Sequence, residues 1–362
     1  MNLEIKKIQL SELDSFVQSE TYRQFATIPI TALRAKSYIR NPNAKPTDVV
    51  LYLGLLNGQL VAFRSLFADN VQSDNEPIRF AWCSGNWVHP DFRGKGFSQQ
   101  LLHEAFTDWN DKLMFSNYAP NSEKLYLKTG KFQPVYHFQG FRGYLFPKTR
   151  KLLPIAGRNL VTKLAFSLID LVISIFSNIR ILFFKAKTNP KIRFETIQFP
   201  DEECYKVIID NPSKFLIHRG KEELNWIFQF PWISANETTT SGKYPFSSYS
   251  NSFEYKTVKV FIDNNFVGFF IFSIRAGHLK TLYFSLPYEL DPEIAGYLKQ
   301  FCVAYKIEVI TVYKFEIAQQ LLAQKFPFLH AKNYGQKIYS SFETTNNKNL
   351  LFQDGDGDVI FT

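Results

Sequence analysis

The densest run of chemically useful residues is Trp87-Val88-His89-Pro90-Asp91-Phe92-Arg93-Gly94-Lys95-Gly96-Phe97-Ser98-Gln99-Gln100-Leu101-Leu102. An apolar run ends at Val88, a turn with two glycines and two cations follows, and an amphipathic helix begins. Backbone N–H groups in such a turn converge on one point, and the helix start adds partial positive charge. Glycine lets the backbone approach a phosphate where a Cβ would intrude. Arg93 and Lys95 add formal charge, so the stretch predicts a diphosphate site at the start of the helix. Two common phosphate loops do not fit. A Walker loop needs Gly-x4-Gly-Lys-Ser/Thr, which is not in the chain. A dinucleotide fingerprint needs a third glycine where Gln99 stands, on the first strand of a βαβ unit.

Other reactive residues are sparse. Cys83, Cys204 and Cys302 lie far apart without metal-ligand spacing, which excludes a disulfide scaffold and a zinc module and fits a reducing compartment. Cys83 sits in an apolar run and reads as a small hydrophobe. His89, between Val88 and Pro90, reads as a solvated turn residue. The tail Asp354-Gly355-Asp356-Gly357-Asp358 lacks the later bidentate Glu of a calcium loop and reads as a capped or mobile terminus. No metal is expected.

The elements that must position the turn follow from periodicity. A strand over 3–9 precedes helical material to about residue 40. Two apolar runs, 49–56 and 59–67, flank Asn57-Gly58, a strong hairpin signal. A strand over 78–88 leads into the glycine turn. Leu101, Leu102, Ala105, Phe106 and Trp109 then mark one helical face. A strand (113–116), a short helix (121–128) and a strand (134–146) close the unit, giving β-α-α-β-β-β-α-β-α-β. After Pro190 a similar order returns, with a hairpin around Asp263-Asn264-Asn265 but no glycine–cation turn after its fourth strand.

The turn resembles motif A of the GNAT superfamily of acyl-CoA-dependent N-acetyltransferases, Arg/Gln-x-x-Gly-x-Gly/Ala. Arg93, Gly96 and Ser98 take its fixed positions, preceded by Val88-x-Pro90. Ser98 departs from Gly/Ala but is small. Asn117, Ser122, Tyr126, Gly130 and Phe132 are similar to the family's downstream segment, with Lys131 a one-residue departure. The resemblance covers residues 3–147. It implies an α/β fold, a GNAT-like mixed central sheet flanked by helices, whose fourth and fifth strands splay to admit the pantetheine arm of acetyl-CoA. It also implies that a backbone N–H near Trp87 and Val88 polarises the thioester carbonyl. Gly94, Lys95, Gly96, Phe97 and Ser98 would hold the pyrophosphate, with Arg93 and Asn117 contributing to the cofactor site. An amine would attack directly, and Tyr126 would protonate the leaving thiolate. A carboxylate base is missing from the fourth strand, Ile78 to Asn86. Glu76, Asp91, His137 or solvent could take the proton.

The 362 residues carry a formal charge of +9 and 45% hydrophobic residues, an ordinary globular composition long enough for two domains. The expected organisation is a GNAT-like domain over 1–148, an apolar helical connector over 149–190, and a degenerate GNAT-like copy over 191–362. Between Leu160 and Phe184 the polar positions 163, 167, 170, 174 and 177 form one narrow stripe and the rest is apolar. Burial between domains is the expected placement, with an in-plane membrane helix and a span as alternatives; peripheral membrane contact would run through 160–184. Arg219 to Trp226 and Phe228 to Trp232 read as packing, with an acceptor cleft as the other possibility. Lys and Arg are scattered without a basic cluster, which argues against nucleic acid. The charged N-terminus is unlike a secretory leader, so a cytoplasmic location is expected. The sequence thus predicts an acetyl-CoA-dependent N-acetyltransferase acting on a small-molecule or peptide amine. A non-catalytic acyl-CoA-binding or membrane-associated interaction protein is the alternative.

Overall fold

The computed structural model describes residues 3–73, 76–117, 120–149, 159–185, 189–210, 215–236, 242–286, 289–344 and 351–362. The chain forms two compact units: residues 1–137, 212–253 and 336–362 make the first, and 138–211 with 254–335 the second. This partition departs from the expected boundaries at 148 and 190. The cause is an exchange of closing strands, described below.

In unit 1, β1 (Glu4–Gln9) pairs antiparallel with β2 (Val49–Leu56), β2 with β3 (Gln59–Val71), and β3 with β4 (Ile78–Val88). The β2–β3 turn places Asn57 and Gly58 at φ 49° and 78°, the left-handed pair that tight hairpins need. The short helices α1 (Leu13–Gln18), α2 (Glu20–Gln24) and α3 (Ala32–Ile39) follow β1, and α4 (Phe97–Asp108) follows β4. β5 (Leu113–Ser116) lies parallel to β4 and leads into α5 (Pro120–Leu127). The apolar face read from the sequence packs as expected: Leu101, Leu102, Ala105 and Phe106 of α4 join Leu66, Ala81, Phe115 and Phe132 in one core. The strand closing this sheet is not β6 (Gln133–Tyr144) but β12 (His330–Ser340), whose Ile338, Tyr339 and Ser340 pair with Ser116, Phe115 and Met114.

Unit 2 repeats the pattern. β7 (Ile192–Ile197), β8 (Phe253–Ile262), β9 (Asn265–Arg275) and β10 (His278–Ser285) follow one another, and β10 runs parallel to β11 (Val309–Val312). Helices α6 (Leu160–Leu182), α7 (Glu202–Asp210), α9 (Asp291–Ala304) and α10 (Phe315–Ala323) belong to this unit; α8 (Lys221–Gln229) belongs to unit 1. The strand beside β11 is β6, with Phe141 to Tyr144 opposite Val312 to Val309. Each half of the chain therefore lends its last strand to the other half's sheet. Both fourth strands also carry a one-residue irregularity, at Ser84 in β4 and Leu282 in β10. The two halves are copies of one topology.

α6 departs from the expectation of burial. Leu168 and Val172 are 65% exposed and Leu182 is 80% exposed.

Of the two readings of the tail, capped or mobile, the structure shows a packed one. Phe361 stacks on Trp232 with ring centroids 4.4 Å apart, and Asp354 and Asp356 are buried.

Candidate active site

The β4–β5 ladder has two pairs, Ala81–Leu113 and Trp82–Met114. Beyond Trp82 the strands part, because β4 continues against β3 while β5 turns to β12. Val61 accepts from the His89 N–H at 2.8 Å. Antiparallel alternation then turns the Trp87 N–H toward β3 and those of Asn86 and Val88 away from it, to the side where β5 has left. Of the two residues read from the sequence, Val88 and not Trp87 thus has its N–H on the side that β5 has left; the Trp87 ring stacks on Phe63 at 5.6 Å.

The glycine turn follows. Pro90 to Phe92 form one 3-10 turn, with His89 Nδ1 accepting from the Asp91 N–H, so His89 is a turn residue as expected. Gly94 and Gly96 have φ of 82° and 80°, and Gly96 is the left-handed N-cap of α4. A Cβ at either glycine would meet open space, so the local demand for glycine comes from backbone conformation. Lacking a side chain, Gly96 gives the first turn of α4 no side-chain cap; its carbonyl accepts from the Gln99 and Gln100 N–H groups, both at 3.1 Å. Arg93 is exposed, with Nε 3.4 Å from the Val88 carbonyl, and the Lys95 ammonium lies 4.8 Å from the Phe92 ring centroid. Phe97 is buried in the core.

Ser98, also buried, belongs to a network that the sequence does not advertise. Its hydroxyl donates to Asn86 Oδ1 at 2.6 Å, and Arg64 Nη2 reaches Ser98 Oγ at 3.3 Å and Asn86 Oδ1 at 3.2 Å. Arg64 Nη1 donates to the Tyr126 hydroxyl at 2.8 Å. Arg64 is fully buried, and among the described residues its Nε has no partner and none of its hydrogen-bond acceptors is a carboxylate. A lone Arg inside the apolar run Leu60 to Phe67 was the available signal.

Tyr126 is buried among Phe115, Phe132 and Arg64. Burial pushes its phenol up, and the Arg64 charge opposes that. The Cys83 thiol interacts with the same hydroxyl. Cys83 is the first β4 residue beyond the last pair with β5, so the phenol stands where the strands part. Burial raises the thiol too, in keeping with a packed rather than an activated cysteine.

Asn117 is used differently. Its Oδ1 accepts from the Lys337 N–H at 2.7 Å and its Nδ2 lies 3.4 Å from Glu123, extending the β5–β12 ladder. The second α/β copy has no glycine in its sequence between β10 and α9, and α9 begins with Asp291 and Glu293, which put negative charge at its N-terminus.

On the other face of β4, Ser84 accepts from Arg34 and donates to Asp358 Oδ2 at 3.2 Å. Arg34 also donates to Tyr244 at 2.7 Å, and Tyr244 and Phe246 pack beside Phe63 and Trp87 as a wall of rings. The tail thus brings a half-buried carboxylate to the strand that lacks one. Sequence reading missed it because the tail and β4 are 274 positions apart. Arg219 holds Asp69 in a bidentate pair at 3.0 and 2.7 Å, and Trp226 donates to the Ser37 carbonyl, so both are packing residues.

No protein-family model matches the chain, and no curated protein matches its sequence. Solved structures do match. A protein of unknown function from Enterococcus faecalis V583, described as a "probable N-acyltransferase", aligns with TM-score 0.50 and 12% identity, over 94% of this chain and 72% of its own. A GCN5-related N-acetyltransferase from Anabaena variabilis aligns with TM-score 0.50 and 8% identity over the same shares. A tandem GNAT protein from the clavulanic acid biosynthesis pathway aligns with TM-score 0.47 and 12% identity, over 94% of this chain and 99% of its own. The chain has the GNAT fold, here as two copies of one topology.

Proposed function

We propose that the chain transfers an acetyl group from acetyl-CoA to a primary amine, using the first copy only. One observation carries this reading: the Tyr126 hydroxyl is held by a buried guanidinium where β4 and β5 part, beside a glycine turn with an uncapped helix start. The pyrophosphate would sit on the N–H groups opening α4, with Arg93 and Lys95 nearby, and the pantetheine arm between the two strands. The amine nitrogen bonds to the thioester carbonyl carbon while the Val88 N–H holds the developing oxyanion. The carbon–sulfur bond then breaks, and the thiolate takes the Tyr126 proton, which solvent replaces. The proton lost by the amine goes to Asp358, the carboxylate that the tail brings to Ser84 on β4. The ring wall of Phe63, Trp87, Tyr244 and Phe246 supports an acceptor arriving from that same face.

The test is thiol release from acetyl-CoA against a panel of amines, together with CoA binding by calorimetry. Tyr126→Phe should lower kcat about 100-fold or more and leave CoA affinity in place. Asp358→Asn should remove the acidic limb of the kcat/KM–pH profile. Heat stabilisation by CoA without turnover on any amine would make the chain a non-catalytic acyl-CoA binder instead.

A further inference from the structure

We infer that α6 is an in-plane membrane-docking helix, which seats unit 2 on an anionic lipid surface. The observation is an inverted helix. Its only carboxylate, Asp170, points into the unit, accepting from the Thr149 N–H at 2.7 Å and hydroxyl at 2.6 Å. Ser177 is buried and donates to the Leu145 carbonyl at 2.6 Å, and Arg180 donates to the Pro327 and Phe328 carbonyls, both at 3.2 Å. Asp170, Ser177 and Arg180 are therefore the seam by which the helix is fastened. The opposite face presents Leu164, Leu168, Val172, Ile175, Phe176 and Ile179 to the outside, each 48% exposed or more. A monomer rarely leaves so long an apolar face in water.

The same contacts say how lipid would meet it. Fastening bonds run from Phe166 to Arg180, so protein lines one side along the helix and lipid cannot surround it. That arrangement favours a helix, about 35 Å long, lying flat over one that crosses. A lipid surface fits better than a protein partner, because protein interfaces carry a hydrogen-bonding rim and the outward face from Leu168 to Ile179 consists of apolar side chains. Exposed Lys185 stands just past its C-terminal end, where an ammonium group reaches phosphate headgroups, and the chain's charge of +9 draws it to an anionic leaflet.

The experiment is flotation of the full chain with vesicles of phosphatidylcholine, with and without phosphatidylglycerol. Binding is expected with the anionic vesicles, weakened by high salt, and released by an alkaline carbonate wash. Leu168→Asp combined with Val172→Asp should abolish flotation while circular dichroism and the melting temperature stay unchanged, since both side chains are already outside. Absence of flotation, or flotation that survives the double substitution, overturns the inference. Resistance to the carbonate wash overturns it in favour of a span. A dimer by light scattering that the double substitution dissociates, with no vesicle binding, overturns it in favour of a second copy as occupant.

Discussion

Arg64 is the residue whose energetics point most directly to function. A fully buried guanidinium without a carboxylate is expensive, since the cost of leaving water is met only by neutral acceptors. An apolar side chain of similar length would pack there at less cost. We expect Arg64→Met to keep or raise the melting temperature while lowering kcat on the order of tenfold or more, because Tyr126 loses its orienting partner. Equal losses of stability and turnover would make Arg64 a purely structural residue. Asp356 carries a second prediction. Burial, helped by Asp69 and Asp354 and opposed by Arg219, moves its carboxyl from the usual 3.8 up to about 7. Between those values the folded chain keeps a proton that the unfolded chain has released, so stability falls as pH rises through the window and levels off above it. Asp356→Asn should flatten that part of the melting-temperature profile and raise stability at neutral pH. An unchanged slope would show that another group sets it. Neither residue could be singled out by motif, because their partners lie on distant segments, Tyr126 being 62 positions from Arg64.

At the scale of elements, the glycine turn was legible because its cause is local. Two positive-φ positions, a strand before and an apolar helical face after are all written within twenty residues. Gly96→Ala should cost about 1 kcal/mol for the left-handed backbone and weaken CoA binding. A melting temperature and calorimetric affinity both equal to those of the parent would remove the turn from the site. Hairpins were legible for the same reason: Asp263 and Asn264 adopt φ of 47° and 64°, as Asn57 and Gly58 do in the first copy. The orientation of α6 was not. A stripe of Asp170, Ser174 and Ser177 marks a distinct face in sequence, but periodicity cannot say whether it meets water or protein; hydrogen bonds to Leu145 and Thr149 decide that. The bond that Asn117 accepts from the Lys337 N–H was not legible for a like reason, since β12 lies 220 positions further along the chain.

For the whole molecule, the doubled topology could be read from element order, but the exchange of closing strands could not, since any strand of the right length satisfies the pattern. The exchange makes a prediction against the sequence-order boundary. A fragment ending at residue 148 keeps the glycine turn and Tyr126 but loses β12 from beside β5, the Arg219 partner of Asp69, and the ring of Phe361. It should be unfolded or insoluble, and adding residues 212–253 and 336–362 as a separate peptide should restore CoA binding. A soluble, CoA-binding fragment would refute this. The reciprocal loan also bears on how the chain could change through descent. A copy without the glycine turn would ordinarily be free to shrink, yet this one supplies the strand that closes its sibling's sheet and the carboxylate that reaches Ser84. Truncations of the second copy should therefore be as damaging as lesions in the first.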